Sequence, residues 1–194
     1  MKEGVYLCFT KKRNKFILKQ VSAEDPEEII KYFEFMRELN DVTHHSIKPI
    51  DWEIYNDTKF ILMEFWGKSL AEIKHQHLNH NTHIDITQLI EWISQSLEVF
   101  VHGEKYGATK RLFFSDIKPD NFVVHDLNNV LKVIDLPIQG RYQETVVSKL
   151  PIPFYTPQYA APEIDQYRGV IPGAKPVKID VFAFGMSHHH SKQM

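Results

Sequence analysis

A predicted β-hairpin near the middle of the chain constrains its fold more than any other feature. Two short apolar segments, residues 122–124 and 130–134, are separated by a polar turn that is rich in asparagine. Such a turn between two β-branched runs is typical of a hairpin. Pairing the two strands would bring Asn121, which precedes the first strand, to the same open end as Asp135, which follows the second.

The chemistry expected at that open end depends on two further residues, Asp116 and Lys118, which lie one short loop before the hairpin. Asn121 and Asp135 would offer the oxygen ligands that Mg²⁺ prefers. A carboxylate base and a lysine beside a magnesium site suit the transfer of a phosphoryl group. The alternative is that Asn121 and Asp135 only cap the two strand ends.

Composition excludes several classes of partner. The chain has 194 residues, enough for one sizeable core or for two small lobes that share one. Its net charge of -2 provides no basic surface for nucleic acid or an anionic membrane, so we expect neither as a partner. The single cysteine, Cys8, rules out an internal disulfide and fits a reducing compartment. We expect a cytoplasmic protein, with the nucleus as the alternative.

The N-terminal third is predicted to be mostly β-structure with one helix. The predicted strands cover residues 5–9, 16–21, 51–55 and 59–64. A helix is expected to begin at Pro26, because acidic residues follow a proline at the first helical position. Gly67 marks a natural boundary, since most of the chain after it begins as helix. We therefore predict a small lobe at residues 1–65 and a larger, mainly helical lobe at residues 66–194.

Two segments of the larger lobe carry a readable pattern. Residues 86–101 are predicted to form an amphipathic helix, because apolar side chains recur there at helical spacing. These apolar residues are Ile86, Leu89, Ile90, Ile93, Leu97 and Val101. The polar segment 76–81 is predicted to be a loop. Its neighbourhood contains four histidines without a cysteine or a recognised ligand spacing, so solvation is favoured over a zinc site. The four are His75, His77, His80 and His83.

Four motifs in the second half of the chain resemble those of the protein kinase family. DIKPDN at 116–121 resembles the catalytic loop, and DLP at 135–137 stands where the family has Asp-Phe-Gly. TPQYAAPE at 156–163 resembles the end of the activation segment. Further on, DVFAFG at 180–185 resembles the start of the central helix of the large lobe.

The resemblance extends to the N-terminal half and runs from about Gly4 to Met186. FILK at 16–19 resembles the strand that carries the ATP-anchoring lysine, and LMEFW at 62–66 resembles the hinge that holds adenine. Several motifs in the expected order and spacing are far more specific than any one of them. The resemblance implies a two-lobed, protein-kinase-like fold of the α+β class.

The resemblance also implies a role for each matching residue. Asp116 would orient the hydroxyl of the substrate, and Lys118 would neutralise charge on the phosphoryl group in transit. Asn121 and Asp135 would bind Mg²⁺, and Lys19 would anchor the phosphates of ATP. In the hinge, Glu64 and Trp66 would contribute to binding the nucleotide.

The partner of Lys19 is ambiguous in the sequence. The family pairs this lysine with a helix glutamate, and counting back from His44 without a gap places Phe35 at that position. A one-residue shift selects Glu34, which we take as the predicted partner, although Glu38 then falls where an apolar residue belongs. Phe35 at the position would mean that no lysine–glutamate pair forms. If the strand of Lys19 were an exposed edge, the lysine would only be solvated.

Four departures from the family pattern affect the functional prediction. The chain begins near the third glycine of the phosphate-covering loop, Gly4, and ends part-way into the central helix. The expected fold is therefore incomplete, without the first strand of the small lobe and the late helices of the large one. Phe114 and Ser115 replace the His-Arg pair before the catalytic aspartate. Pro137 replaces the glycine after Asp135, which should restrict the flip of that aspartate.

Two functions remain as alternatives. The first is a protein kinase-like domain that uses ATP and Mg²⁺ to phosphorylate serine or threonine hydroxyls of a protein substrate, since Lys118 is typical of serine/threonine kinases. The second is a pseudokinase that acts as a binding or regulatory module for a protein partner. A small-molecule phosphotransferase would share the Asp-and-Asn loop but not the Lys118–Pro119 pair.

Overall fold

The structure, a computed structural model, describes residues 4–21, 26–105, 111–112, 114, 116–136, 141–142, 149–151, 155–167, 170–172 and 176–192. Its N-terminal strands form an antiparallel sheet in the order β1-β2-β4-β3. These strands are β1 (Val5–Phe9), β2 (Lys15–Val21), β3 (Pro49–Tyr55) and β4 (Thr58–Glu64). All four were predicted. Because β2 pairs with β1 on one side and β4 on the other, Lys19 does not lie on an exposed edge.

Helix α1 (Pro26–Thr43) begins at the predicted proline, with Glu27 and Glu28 in its first turn. One face of α1 is buried at the three- and four-residue spacing of an α-helix. The apolar residues of this face are Ile29, Tyr32, Phe35, Met36 and Leu39. They place α1 against β3 and against the helix at Ile86–Lys105.

A second sheet, in the order β5-β7-β8, contains the predicted hairpin. Its strands are β5 (Gly67–Ser69), β7 (Phe122–His125) and β8 (Leu131–Val133). Gly67 is required where β5 pairs with β7, because a Cβ atom there would lie 1.8 Å from the carbonyl oxygen of Val124. The residue that looked like a boundary in the sequence is thus a point of close backbone contact.

The hairpin is also tied to the segment after α1. Ser46 and Val133 form a parallel bridge. The amide of Val133 donates to the carbonyl of His45 at 2.7 Å, and the amide of Ile47 donates to the carbonyl of Val133 at 2.9 Å. One hydrophobic cluster contains residues from both halves of the chain. The predicted division at residue 65 falls between β4 and β5 and stays a prediction.

The segment 76–81, predicted to be a loop, is mostly helical, and that prediction was wrong. Helix α2 (Leu70–His80) begins with a capping box, in which Ser69 Oγ accepts from the amide of Glu72 at 3.2 Å. In return, Glu72 Oε2 accepts from the amide of Ser69 at 2.8 Å. The helix ends at Asn81 in the left-handed conformation. The histidine-rich composition suggested a loop, although the sequence contains the signals for both helix ends, Ser69 with Glu72 at the start and Asn81 at the end.

Helix α3 (Ile86–Lys105) confirms the predicted helix, but the aliphatic stripe does not all face the core. The side chains of Trp92 and Gln95 bind the hairpin: Trp92 Nε1 donates to the carbonyl of Asn129 at 2.7 Å, and the amide of Leu131 donates to Gln95 Oε1 at 2.7 Å. These polar contacts select which face turns inward. Among the side chains that the structure describes in α3, the buried ones are Leu89, Trp92, Ser96 and Val99. The exposed apolar residues are Ile86, Ile90, Leu97 and Val101.

The remaining elements complete a mixed architecture. Strand β6 (Arg111–Leu112) pairs with β9 (Arg141–Tyr142), and β10 (Lys149–Pro151) pairs with β11 (Val170–Pro172). Helix α4 is Pro162–Tyr167, and α5 is Pro176–Lys192.

Helix α5 confirms the helix predicted at residues 180–185, and the mixture of sheets and helices confirms the α+β class. Ser115 and Pro137, two of the departures from the family pattern, lie outside the described residues. Within the described residues, no helix is both long enough and apolar enough to cross a membrane.

Candidate active site

The hairpin of β7 and β8 forms as predicted. Phe122 pairs with Val133 and Val124 pairs with Leu131. Beyond the last pair, the amide of Ile134 donates to the carbonyl of Asn121 at 2.9 Å. Since Asp135 comes directly after Ile134, the structure brings Asn121 and Asp135 to the same open end of the hairpin.

Asn121 is buried and held in one orientation. It is the last residue of a short 3-10 helix, Pro119–Asn121. The residue is only 4% exposed. Asn121 Nδ2 donates to the carbonyl oxygen of Asp116 at 2.9 Å. The other end of the amide, Oδ1, is buried and has no hydrogen-bond partner within the described residues. An acceptor in this state costs free energy unless a cation or donor reaches it.

Asp116 and Lys118 form an ion pair, and a threonine from a distant segment joins them. The hydroxyl of Thr156 donates to Asp116 Oδ1 at 2.6 Å and accepts from Lys118 Nζ at 2.9 Å. The side chains of Asp116 and Lys118 are 22% and 13% exposed, so the group is reachable from solvent but not freely solvated.

Thr156 was not predicted as a site residue. The available signal was its position at the start of the TPQYAAPE motif. The three side chains form a closed hydrogen-bonded triangle that fixes the Asp116 carboxylate.

Lys19 is paired with Asp135 across the two halves of the chain. Asp135 has a positive φ of 59°, a conformation that costs about 1–2 kcal/mol for a residue with a Cβ atom. Strain of this kind persists only where the surroundings hold the residue in place. The ion pair with Lys19 is one such restraint, and it aims the Asp135 carboxylate toward the β2 strand.

The predicted pair between Lys19 and Glu34 is not formed. Glu34 is exposed on α1, whereas Phe35 is buried at 1% exposure, so the ungapped alignment gives the correct helix face. Within the described residues, the ion-pair partner of Lys19 is Asp135. The one-residue shift failed because it would have turned Glu38 inward in place of the buried Leu39.

The hinge residues Glu64 and Trp66 both engage a buried lysine on the hairpin. Lys132 is 7% exposed, and its Nζ donates to Glu64 Oε1 and lies 4.0 Å from the ring centroid of Trp66. Glu64 Oε1 also accepts from the amide of Lys48 at 2.8 Å. Trp66 Nε1 donates to the carbonyl of Val130 at 2.8 Å. The side chains of the predicted adenine-binding residues therefore hold the hinge to the hairpin.

Phe114 and Ile117, at the start of the loop that contains Asp116, contact helix α5. The amide of Phe114 donates to Asp180 Oδ2 at 2.9 Å. The hydroxyl oxygen of Ser187 lies 2.8 Å from the carbonyl oxygen of Ala183 in its own helix and 3.3 Å from that of Ile117. Phe114 also packs edge-to-face on Phe100, with ring centroids 4.5 Å apart. Phe114, which replaces a histidine of the family pattern, thus serves as an apolar support for the residues of the site.

Two tyrosines near the site remain neutral. Burial, and then the charge of Asp135, raises the pKa of Tyr32 well above its usual value. Burial, and then the charge of Asp120, raises the pKa of Tyr159. Both phenols are therefore hydrogen-bond donors at neutral pH.

A family model identifies the class of protein to which this loop, hairpin and supporting helix belong. The model for the protein kinase domain matches residues 3–190. The chain therefore belongs to the protein kinase family.

Several curated proteins are similar to the chain. Myosin light chain kinase 2, skeletal/cardiac muscle, from Mus musculus is 27% identical over 154 residues, which are 78% of this chain and 23% of that protein. The Homo sapiens protein of the same name is 26% identical over 154 residues, 78% of this chain and 24% of that protein. Myosin light chain kinase 3 from Homo sapiens is 26% identical over 156 residues, 79% of this chain and 18% of that protein. The chain thus spans less than a quarter of the length of these relatives.

Proposed function

We propose that this chain is a protein kinase-like domain that transfers the γ-phosphate of ATP to serine or threonine hydroxyls of a protein substrate with the help of Mg²⁺. The observation that carries this proposal is the buried Asn121 Oδ1, which has no hydrogen-bond partner in the part of the chain that the structure describes. It lies at the same end of the hairpin as the Asp135 carboxylate. An oriented amide oxygen and a carboxylate are ligands of the type that Mg²⁺ takes.

The two residues fit a magnesium ion chemically. A carboxylate offers about four lone-pair sites, so the ion pair with Lys19 does not use up the capacity of Asp135. Asn121 and Asp135 would hold the Mg²⁺, whose charge would offset that of the phosphates. Lys19 would add a second positive charge beside the phosphates. Asn121 and Asp135 would thereby fix the position of the phosphate end of the nucleotide.

The residues of the catalytic loop would act on the substrate hydroxyl. Asp116 would accept its hydrogen bond and orient it for in-line attack, with Thr156 and Lys118 keeping the carboxylate in place. Lys118 would also stabilise negative charge as the phosphoryl group moves. The serine/threonine preference rests on Lys118, a residue typical of serine/threonine kinases at this position, and the contact with Thr156 gives this lysine a fixed position in the loop.

The nucleotide would lie between a small lobe at residues 1–65 and a large lobe at residues 66–194. Glu64 and Trp66 would contribute to its binding by holding the hinge, since their side chains are engaged with Lys132. This differs from direct contact of those side chains with adenine.

The alternative is a pseudokinase that binds a protein partner without catalysis. The specific observation that favours it is Phe35, a buried apolar residue where the family has the glutamate that binds the lysine. Without that glutamate, Lys19 is left paired with Asp135. If this pair persisted, Lys19 would compete with the metal for Asp135, and Asp135 would compete with the phosphates for Lys19.

A phosphotransfer assay distinguishes the two functions. The wild type is compared with Asp116→Ala and with Asp126→Ala, an exposed aspartate in the turn of the same hairpin. A kinase loses about 10²-fold or more of its rate with Asp116→Ala and keeps it with Asp126→Ala. Equal phosphate transfer by all three proteins, or none by the wild type, would reject the enzyme.

A further inference from the structure

In helix α1, no glutamate pairs with Lys19, but the helix makes a different contact with the segment Ile134–Leu136, which contains the proposed metal ligand Asp135. The hydroxyl of Tyr32 donates to the backbone carbonyl of Leu136 at 2.6 Å. Tyr32 is 4% exposed and Leu136 is 2% exposed, so the bond is shielded from water. Tyr32 lies one turn before Phe35 on the same buried face of α1.

The bond restrains a segment that is already held at two neighbouring residues. The amide of Ile134 is bound by Asn121, and the carboxylate of Asp135 is bound by Lys19. Tyr32, from α1, holds the third residue by donating to the carbonyl of Leu136. Three consecutive residues are thus fixed from three different elements, with the strained Asp135 in the middle.

We propose that Tyr32 is a positioning residue that couples α1 to the orientation of Asp135 and so to the binding of metal and nucleotide. In this role its hydroxyl does through the main chain what a lysine–glutamate pair would do through side chains. The inference rests on the proposed nucleotide site and extends it to a residue that touches neither metal nor ATP.

The chemistry of the bond suits this role. If the Asp135–Leu136 segment turned away from Lys19, the Leu136 carbonyl would leave the hydroxyl, and both groups would lose a partner in an apolar environment. A carbonyl oxygen only accepts, so the hydroxyl of Tyr32 is the donor of this bond. Movement of α1 would likewise break the bond. A displacement of the helix and a change at Asp135 are therefore linked events.

The test removes only the donor. Tyr32→Phe keeps the packing ring, and Tyr55→Phe, at a residue that is 64% exposed, is the matched control. Replacing Tyr32 by para-aminophenylalanine restores an N–H donor at the same ring position. Binding of an ATP analogue is measured with Mg²⁺ and with chelator, and amide hydrogen exchange is followed for residues 130–136.

Tyr32→Phe should weaken Mg²⁺-dependent binding about fivefold, leave metal-free binding unchanged and accelerate exchange in residues 130–136. The amino variant should reverse both effects, and Tyr55→Phe should show neither. Unchanged exchange and unchanged metal dependence in Tyr32→Phe would overturn the proposal. If the wild type binds no nucleotide, the proposed function fails, and the exchange data still decide whether Tyr32 restrains this segment. If Tyr32→Phe does not fold, the amino variant decides: folding with wild-type exchange supports the donor role, and rapid exchange rejects it.

Discussion

Lys132 is the residue whose removal tests most sharply how the hinge is held. It is a buried lysine on β8, bound to Glu64 and stacked on Trp66. Replacing it by methionine keeps most of the side-chain volume and removes the charge. The change leaves the Glu64 carboxylate, which is 21% exposed, with the Lys48 amide as a remaining donor.

The loss of folding free energy expected for Lys132→Met lies between two known limits. Removing one partner of a fully buried ion pair costs about 3–5 kcal/mol, and losing an exposed pair costs about 0–1 kcal/mol. Because Glu64 is one-fifth exposed and keeps one donor, the electrostatic loss should be about 2 kcal/mol. The lost cation–π contact adds about 1 kcal/mol, part of which a methionine sulfur regains. We expect Lys132→Met to lower the free energy of unfolding by about 2–3 kcal/mol.

The assay is equilibrium unfolding in urea and by heat. For a chain of this length the loss should lower Tm by about 4–12 °C. Lys31→Met is the control, because Lys31 forms an exposed ion pair with Glu27 at 3.0 Å and should cost less than about 0.5 kcal/mol. A double variant with Glu64→Gln should recover about 1–2 kcal/mol of the loss. If Lys132→Met unfolds like Lys31→Met, or if the double variant equals the sum of the single ones, the reasoning is refuted.

Three further predictions concern the site and its support. Thr156→Val should lower the rate of phosphotransfer about tenfold and Thr156→Ser should keep it, because the hydroxyl holds Asp116; equal rates in a steady-state kinase assay would contradict this. Phe35→Glu should lower the free energy of unfolding by several kcal/mol, about 3 or more, since it buries a carboxylate; a rise in Tm would instead show that Lys19 can leave Asp135. Ser69→Ala should cost about 1 kcal/mol through loss of the α2 cap, measured by urea unfolding, and an unchanged midpoint would show that the capping box does not matter.

The strands, α1 and the β7–β8 hairpin could be predicted because their signals are local. Pro26 with two acids starts α1, and alternating or β-branched runs bounded by turns give the strands. The position of Asn121 beside Asp135 followed from the pairing of two adjacent strands. In each case the information lies within about ten residues of the feature.

The contacts that join distant segments could not be predicted in the same way. Nothing in the sequence near Glu64 indicates Lys132 as its partner, and the Tyr32–Leu136 bond joins residues separated by 104 positions. The inward face of α3 was also undetermined, because its apolar residues occupy both sides and polar contacts to the hairpin decide between them. The prediction of the partner of Lys19 was wrong for a similar reason, because a one-residue shift on a helix changes which side chain faces the core.

The proposed function depends on Asn121 Oδ1 and Asp135 together holding one magnesium ion. The most direct measurement is the binding isotherm of an ATP analogue with Mg²⁺ and with chelator, for the wild type and for Asn121→Leu, with Asn128→Leu in the exposed hairpin turn as control. We expect tighter binding with Mg²⁺ for the wild type and for Asn128→Leu, and loss of that difference in Asn121→Leu. Binding that ignores Mg²⁺ in the wild type, or a metal dependence that survives in Asn121→Leu, would contradict the magnesium site.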